Sequence, residues 1–462
     1  MTQTRPNRFS SALELIGNTP MLELTHFDTG PCRLFVKLES QNPGGSIKDR
    51  IGLSMIEAAE RDGSLKPQGT LVEATAGNTG LGLAQVGVLK GYHVVLIVPD
   101  KMAREKIQHL RALGAEVRIT RSDVGKGHPD YYQDMAERLA RETGAFYINQ
   151  FANPANPDAH EKTTGPEIWE QMEHDVQAIV MGIGSGGTLT GIARFFRRVS
   201  PQTEIVLADP LGSILAPLIR TGKLIEPGSW TVEGLGEDFV PPNADLSLVT
   251  RAYTIADKES IEAARALLAK EGILAGSSSG TLLAAALRYC REQTKPARVV
   301  TLVCDSGNKY LSKIYNDYWV VEQGLSEREL KGDLSDLITR RFDRGGTVTV
   351  RPEDTLLVAY NRMRAADVSQ LPVVSQEHIV GILDEHDILA FVEGTDSHRA
   401  EAFKKPVENA MTRRLNTVQI RDKLDVLPPL FERDKVAIVL DGDKFVGLIT
   451  RIDLINHLRL SP

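Results

Sequence analysis

The chain has 462 residues, 42% of them hydrophobic, which is enough for two to four cored domains. Its formal net charge is −7 and it contains no basic block, so neither nucleic acid nor a membrane surface is an expected partner. The opening MTQTRPNRFSSALEL lacks an apolar signal-type core, and the longest aliphatic run, 94–98, is too short to span a bilayer. Cys32, Cys290 and Cys304 are far apart and odd in number, without disulfide or metal-type spacing. A reduced, cytoplasmic protein with no bound metal is therefore expected.

Residues 13–330 alternate β-rich runs with helical periodicity, the pattern of an α/β protein with a parallel sheet. An apolar strand, 34–38, leads into the turn Asn42-Pro43-Gly44-Gly45-Ser46-Ile47-Lys48-Asp49-Arg50. The spacing of apolar residues over 51–62 predicts a helix behind it, with Ser46 placed to cap it and Lys48 in its first turn. The positive end of a helix dipole disfavours an ammonium there and favours the free amine that Schiff-base chemistry needs. The plainer reading is a lysine on an exposed first turn. Further buried strands are expected at 71–74, 94–98, 116–119, 178–181, 205–208 and 299–303, with helices at 102–113, 261–270 and 281–293.

Three glycine- and hydroxyl-rich loops follow such strands or open such helices. Thr75-Ala76-Gly77-Asn78-Thr79-Gly80 offers hydroxyls and unhindered N–H groups suited to a carboxylate, although its residues also suit an ordinary capped turn. Gly182-Ile183-Gly184-Ser185-Gly186-Gly187-Thr188 reads as a phosphate cradle at a helix start. It also resembles a dinucleotide fingerprint, with Asp209 where a ribose-binding acid would sit. Gly276-Ser277-Ser278-Ser279-Gly280 presents hydroxyls that can meet a buried ring nitrogen or cap a helix. A lysine nucleophile, a carboxylate loop and a phosphate cup without its own lysine or Mg²⁺ ligands together fit a pyridoxal phosphate enzyme.

Beyond about residue 325 the texture changes. The stretch 326–343 is strongly charged, then basic, and is expected to be a linker between a 1–325 catalytic domain and a 344–462 module. That module repeats itself, at about 346–395 and 407–460. Each copy is expected as strand, helix, strand, turn, strand and helix, and the two copies as a pair about a pseudo-twofold axis.

The 44–50 turn, the 75–80 loop, the 184–188 cup and Leu15-Ile16-Gly17-Asn18-Thr19-Pro20-Met21 resemble the β-replacement family of pyridoxal phosphate enzymes over roughly 10–325. This is the fold type II family of cysteine synthases and cystathionine β-synthases, an α/β fold with parallel-rich sheets. Val232-Glu233-Gly234-Leu235-Gly236-Glu237-Asp238-Phe239-Val240-Pro241 and the stretch from Asp305-Ser306-Gly307-Asn308-Lys309-Tyr310 to Asp317-Tyr318-Trp319 are similar to the cystathionine β-synthase branch. The duplicated tail resembles the tandem CBS-repeat (Bateman) module, which also occurs on unrelated proteins.

The resemblance implies a transsulfuration lyase of the hydro-lyase type, a homodimer that makes L-cystathionine from L-homocysteine and L-serine or O-acetylserine on the route to cysteine. Lys48 would be the catalytic lysine. Asn78, Gly184, Ser185, Gly186, Gly187, Thr188 and Ser278 would hold the pyridoxal 5′-phosphate, Ser278 facing its ring nitrogen. Thr75, Ala76, Thr79 and Gln150 would fix the donor carboxylate. Glu237 stands where animal and yeast enzymes have tyrosine, and is expected to pair with the ammonium of homocysteine; a solvated rim charge is the plainer alternative. The haem-binding extension of animal enzymes has no counterpart before Leu13, so no haem is expected.

Cysteine synthase, using O-acetylserine and sulfide, is the alternative enzyme reading, and a nucleotide-sensing scaffold the non-enzyme one. Thr450 and Asp453 in Gly447-Leu448-Ile449-Thr450-Arg451-Ile452-Asp453 match the adenosyl-site pattern of such repeats, whereas the first repeat has Asp384 and Glu385 instead. Pro428-Pro429 should shorten or displace the helix beside the second repeat's cleft. The module is therefore expected to mediate dimer contacts chiefly, and S-adenosylmethionine is not expected to activate the enzyme.

Overall fold

The structure is a computed structural model that describes residues 8–75, 77–100, 102, 104–326, 331–394, 399–433 and 436–460. Contacts divide the chain into two units, 1–315 and 316–462.

The first unit contains two sheets. One has the order β1-β2-β10-β7-β8-β9: β1 is Met21–Glu23, β2 Arg33–Lys37, β7 Ala178–Met181, β8 Glu204–Pro210, β9 Arg251–Ile255 and β10 Arg298–Leu302. All its pairings are parallel except β1 with β2. The other is parallel throughout, in the order β5-β4-β3-β6: β3 is Thr70–Ala74, β4 His93–Pro99, β5 Glu116–Thr120 and β6 Phe146–Tyr147. The central strands are covered on both faces and read as unbroken aliphatic runs for that reason, as in Ile179, Val180, Val299 and Val300, all fully buried. Four loops of chemical interest leave carboxyl ends of strands, the usual ligand edge of parallel sheets. They are the 42–50 turn downstream of β2, the 75–80 loop after β3, the 182–188 loop after β7 and Cys304-Asp305 after β10.

The second unit holds the repeats. The first has β11 (Gln370–Ser375) and β12 (His378–Asp384); the second has β13 (Thr417–Gln419), β14 (Val436–Asp441) and β15 (Lys444–Thr450). The first strand expected at 348–350 is reduced to a single bridge between Val350 and Val373. Its partner strand carries Pro372, which has no N–H to extend the ladder, whereas the second copy has Ile438 there, whose N–H bonds the Asn416 carbonyl at 3.0 Å, and pairs β13 over three residues. The stretch expected as a linker contributes buried Leu334, Leu337 and Ile338 to the second repeat's core. Val374, Ile438 and Phe445 bring the two copies together. The double proline lies in the first turn of Leu427–Arg433, seven residues long, where the first repeat has the eleven-residue helix Leu356–Ala366. Among the described residues no helix is long and apolar enough to cross a membrane.

Candidate active site

Lys48 is the first residue of the helix Lys48–Asp62, and its N–H is held by Ser46 Oγ at 3.3 Å. The turn before it is tied down by Asp49, whose Oδ2 accepts from Gly44 N–H at 2.5 Å, and by Ile47 N–H bonding the Cys304 carbonyl at 2.9 Å. The Lys48 amine lies below the usual lysine range, and burial is the largest cause. Cys304, Asp305 and Glu237 pull the other way. The Cys304 thiol is itself pushed up to about 12 by burial and is neutral, so Asp305 and Glu237 are the anions that face the lysine.

The 75–80 loop turns into the helix Asn78–Lys90. Thr75 Oγ1 accepts from the N–H groups of Gly77 and Gly80, at 3.1 and 3.2 Å. Thr79 donates to Gln150 Oε1 at 2.7 Å, and Gln150 Nε2 is directed to Glu73 Oε1 and the Ala74 carbonyl at 3.2 and 3.0 Å. Both amide hydrogens of Gln150 are thus engaged, and its contact with the loop runs through Thr79. Fully buried Glu73 is raised to about 8 by burial, so it is protonated at neutral pH and does not set a second negative charge beneath a carboxylate site. Ala76 lies outside the described residues.

The 182–188 loop opens the thirteen-residue helix Gly187–Val199. Gly186, at φ 87°, caps it, in a conformation that side chains disfavour. A Cβ on Gly184 would sit 2.6 Å from the Gly234 carbonyl, so the cup floor is bare backbone pressed against the 232–241 loop. Asn156 donates to Ser185 Oγ at 2.9 Å and to the Gln150 carbonyl at 2.8 Å, linking the cup to the carboxylate loop. Thr188 Oγ1 lies 3.1 Å from His160 Nε2. Burial, then Lys48 and Arg50, keep His160 well below its usual range and therefore neutral. A glycine floor, first-turn N–H groups and two hydroxyls fit a phosphate monoester without a lysine. Asp209 is fully buried and accepts from Ala216 N–H at 2.8 Å, so it caps the next helix and the dinucleotide reading loses its ribose acid.

Ser278 is inside the helix Ser277–Glu292, whose N-cap is Gly276 with no side-chain cap bond, so Ser278 does not cap it. It is buried and lies close to the Cys304 thiol, beside Lys48. Ser277 Oγ accepts from Glu233 N–H at 3.1 Å, which brings the 232–241 loop to the same place. Partly buried Glu237 lies within electrostatic reach of Lys48, Tyr131 and Tyr132. The structure thus gathers Lys48, Thr75, Asn78, Thr79, Gln150, Ser278, Glu237 and the 184–188 cup. Thr450 and Asp453 lie in the other unit.

Cys304, Asp305, Glu73 and the Tyr131–Tyr132 pair also belong to this neighbourhood. None of them has a local motif; only the Asp305–Tyr310 stretch carried a signal, through its resemblance.

The model of the pyridoxal-phosphate dependent enzymes matches residues 12–305, and that of the CBS domain matches 334–394 and 407–460. A Fusobacterium nucleatum hydrogen sulfide-producing enzyme of known structure is 37% identical, with a TM-score of 0.62, covering 66% of this chain and 100% of that one. The cystathionine β-synthase of Dictyostelium discoideum is 35% identical over 97% of this chain and 92% of its own. That of Saccharomyces cerevisiae is 33% identical over 97% of each chain. The chain belongs to the cystathionine β-synthase family, whose members are pyridoxal-phosphate-dependent β-replacement enzymes.

Proposed function

We propose that the first unit joins L-serine or O-acetylserine to L-homocysteine, giving L-cystathionine, with Lys48 as the proton carrier. The observation that carries this reading is the half-buried, low-pKa Lys48 amine facing two carboxylates, Asp305 and Glu237. Pyridoxal phosphate, bound with its phosphate in the 184–188 cup, supplies a conjugated ring that takes up the electrons of the donor's Cα–H bond. First-turn N–H groups of the Asn78–Lys90 helix and the Thr75 hydroxyl hold the donor carboxylate. The Lys48 amine then removes the α-proton and, as ammonium, gives a proton to the leaving β-oxygen. Asp305 stabilises that ammonium, and Glu237 receives the ammonium of homocysteine, a group that sulfide lacks. Steady-state rates with serine and O-acetylserine, each against homocysteine and sulfide, test the assignment; a clear preference for sulfide would replace it with cysteine synthase.

Glu237→Ala should raise KM for homocysteine several-fold while sparing the donor half-reaction. Equal loss in both halves would assign Glu237 to loop structure. Ser278→Asp should protonate the ring nitrogen, shift the visible absorbance of the bound cofactor and raise side reactions relative to replacement. An unchanged spectrum would leave Ser278 as packing.

For the repeat module we propose dimer contacts rather than activation by S-adenosylmethionine. Asp453 Oδ2 already accepts from Thr450 N–H and Oγ1, at 2.7 and 2.5 Å, a helix-capping use that Asp384 and Asp387 repeat in the first copy. Half-buried Glu322, raised by burial and by Asp453, adds a second acid beside that cleft. Ile452, Ile455 and Leu458, at 59, 57 and 61% exposure, form an apolar stripe suited to a second copy. Calorimetry should detect no micromolar binding of S-adenosylmethionine. Binding accompanied by a rise in turnover that Asp453→Ala abolishes would overturn this.

A further inference from the structure

The Asn78 amide is gripped at both ends. Its Oδ1 accepts from Lys309 Nζ at 3.0 Å, and its Nδ2 donates to Asp305 Oδ2 at 2.7 Å. A flipped amide would set N–H against the ammonium and oxygen against the carboxylate, so the charges determine its orientation. One Nδ2 hydrogen is left after the bond to Asp305. Lys309 is itself anchored to the carbonyls of Gly44 and Gly45, at 3.1 and 3.2 Å, in the turn that carries Lys48.

The hydrogen-bonded chain continues from Asp305. Tyr310 O–H donates to the same Oδ2 at 2.7 Å and accepts from Lys106 Nζ at 2.9 Å. Lys106 Nζ also bonds Glu233 Oε2 at 2.7 Å, and Lys313 takes the other oxygen of Glu233 at 2.7 Å. Asp305, Tyr310, Lys106 and Lys309 are all buried, at 0, 1, 2 and 6% exposure. Burying four such groups is costly unless they are paired; Asp305 bonds through Oδ2 alone, its buried Oδ1 having no partner among the described residues, and the bonds that the network does make hold its members in place. Its two ends are informative: one is Asn78, and the other is Glu233, four residues before Glu237 on the acceptor-side loop.

We propose that Asp305 and Tyr310 are positioning residues that keep the remaining Nδ2 hydrogen of Asn78 available to the cofactor's ring oxygen and, through Lys106, couple that orientation to the Glu233–Glu237 loop. The proposal rests on the reading that Asn78 contacts the cofactor. Arrival of the acceptor at Glu237 is then felt at the ring through five side chains, without contact between acceptor and ring.

The test uses the holoenzyme, with cofactor affinity, visible absorbance and thermal stability measured together. Asp305→Asn should weaken cofactor binding about tenfold, the effect of losing a buried charge-assisted hydrogen bond, and shift the visible band. In a double-mutant cycle with Asn78→Ala the two effects should not add. Tyr310→Phe keeps the ring and its cation–π contact with Lys106, at 4.4 Å, and removes only the O–H link. It should abolish the change in the visible band on adding homocysteine while leaving donor KM unchanged, and it decides the matter alone should Asp305→Asn fail to fold. Additive effects, a band response intact in Tyr310→Phe, or lost stability with unchanged affinity and spectrum would overturn the proposal. If Asn78→Ala alone changes neither band nor affinity, the Asn78 contact is absent and the proposal falls with it. If Asn78→Ala changes them and Asp305→Asn does not, only the coupling falls.

Discussion

Lys48→Ala should lower β-replacement turnover at least about 10³-fold, the scale of a positioned proton carrier that is also the covalent attachment point. The fold should survive. The lysine occupies the first turn of a fifteen-residue helix, and among the described residues its amine has no hydrogen-bond partner to be left stranded. Unfolding stability should therefore change by no more than about 1 kcal/mol. Turnover, the visible band of the bound cofactor and the unfolding midpoint are read on the same preparation. Lys48→Arg is the sharper companion: it keeps a cation facing Asp305 and Glu237 but cannot give up its proton at working pH. It should be as inactive as the alanine variant. Near-native turnover in either would remove Lys48 from the chemistry.

Arg50, two residues further on, should matter as much for a different reason. Its guanidinium bonds Glu39 through Nε and Nη2, each at 2.8 Å, and Glu167 through Nη1 and Nη2, each at 2.7 Å. Glu39 is fully buried, and Lys37 reaches Glu167 at 2.7 Å from the other side. This cluster clamps the start of the Lys48 helix to the end of β2 and to the 160–171 segment. Arg50→Met preserves much of the volume but strands the buried Glu39 carboxylate and leaves Glu167 with Lys37 as its remaining cation, and should destabilise the first unit by about 3–5 kcal/mol.

The pH dependence gives an independent check. In the native chain burial pushes the Glu39 carboxyl up, but Arg50 and Lys37 outweigh it and hold the group below its ordinary 4.5. Glu39 therefore contributes stability above pH 4.5 that is lost as the pH falls through its folded value. Without Arg50 burial wins and the sign reverses. Whatever stability Glu39 then contributes is present below 4.5 and lost as the pH rises, so the deficit of Arg50→Met should be greatest near neutrality and should shrink on acidification. A deficit independent of pH would mean that lost packing, not stranded charge, is responsible.

These two residues also mark how far the chain could be read unaided. Lys48 was legible because a glycine turn between a strand and a helix start leaves its signature in consecutive residues. The 75–80 loop and the 184–188 cup were legible on the same ground, and their family resemblance supplied roles that spacing alone left open. Arg50 stands in that same motif, yet its partners lie 11 and 117 residues away, and nothing near it in the chain announces them. Asp305, Tyr310, Lys106 and Glu233 are scattered still more widely, joined across as many as 204 residues.

Sequence by itself determined the elements whose cause is local: strands from aliphatic runs, helices from apolar spacing and first-turn residues, the duplicated tail from its repeat, the shortened second-repeat helix from two prolines. Tertiary structure decided what depends on burial and long-range charge. It used Asp209 as a helix cap, engaged both amide hydrogens of Gln150, made Glu73 a neutral acid, and buried the Lys48 amine so that desolvation lowers its pKa. Those properties belong to the surroundings that folding assembles around a side chain, and electrostatic energies inside a protein depend on such surroundings rather than on the order of residues along the chain.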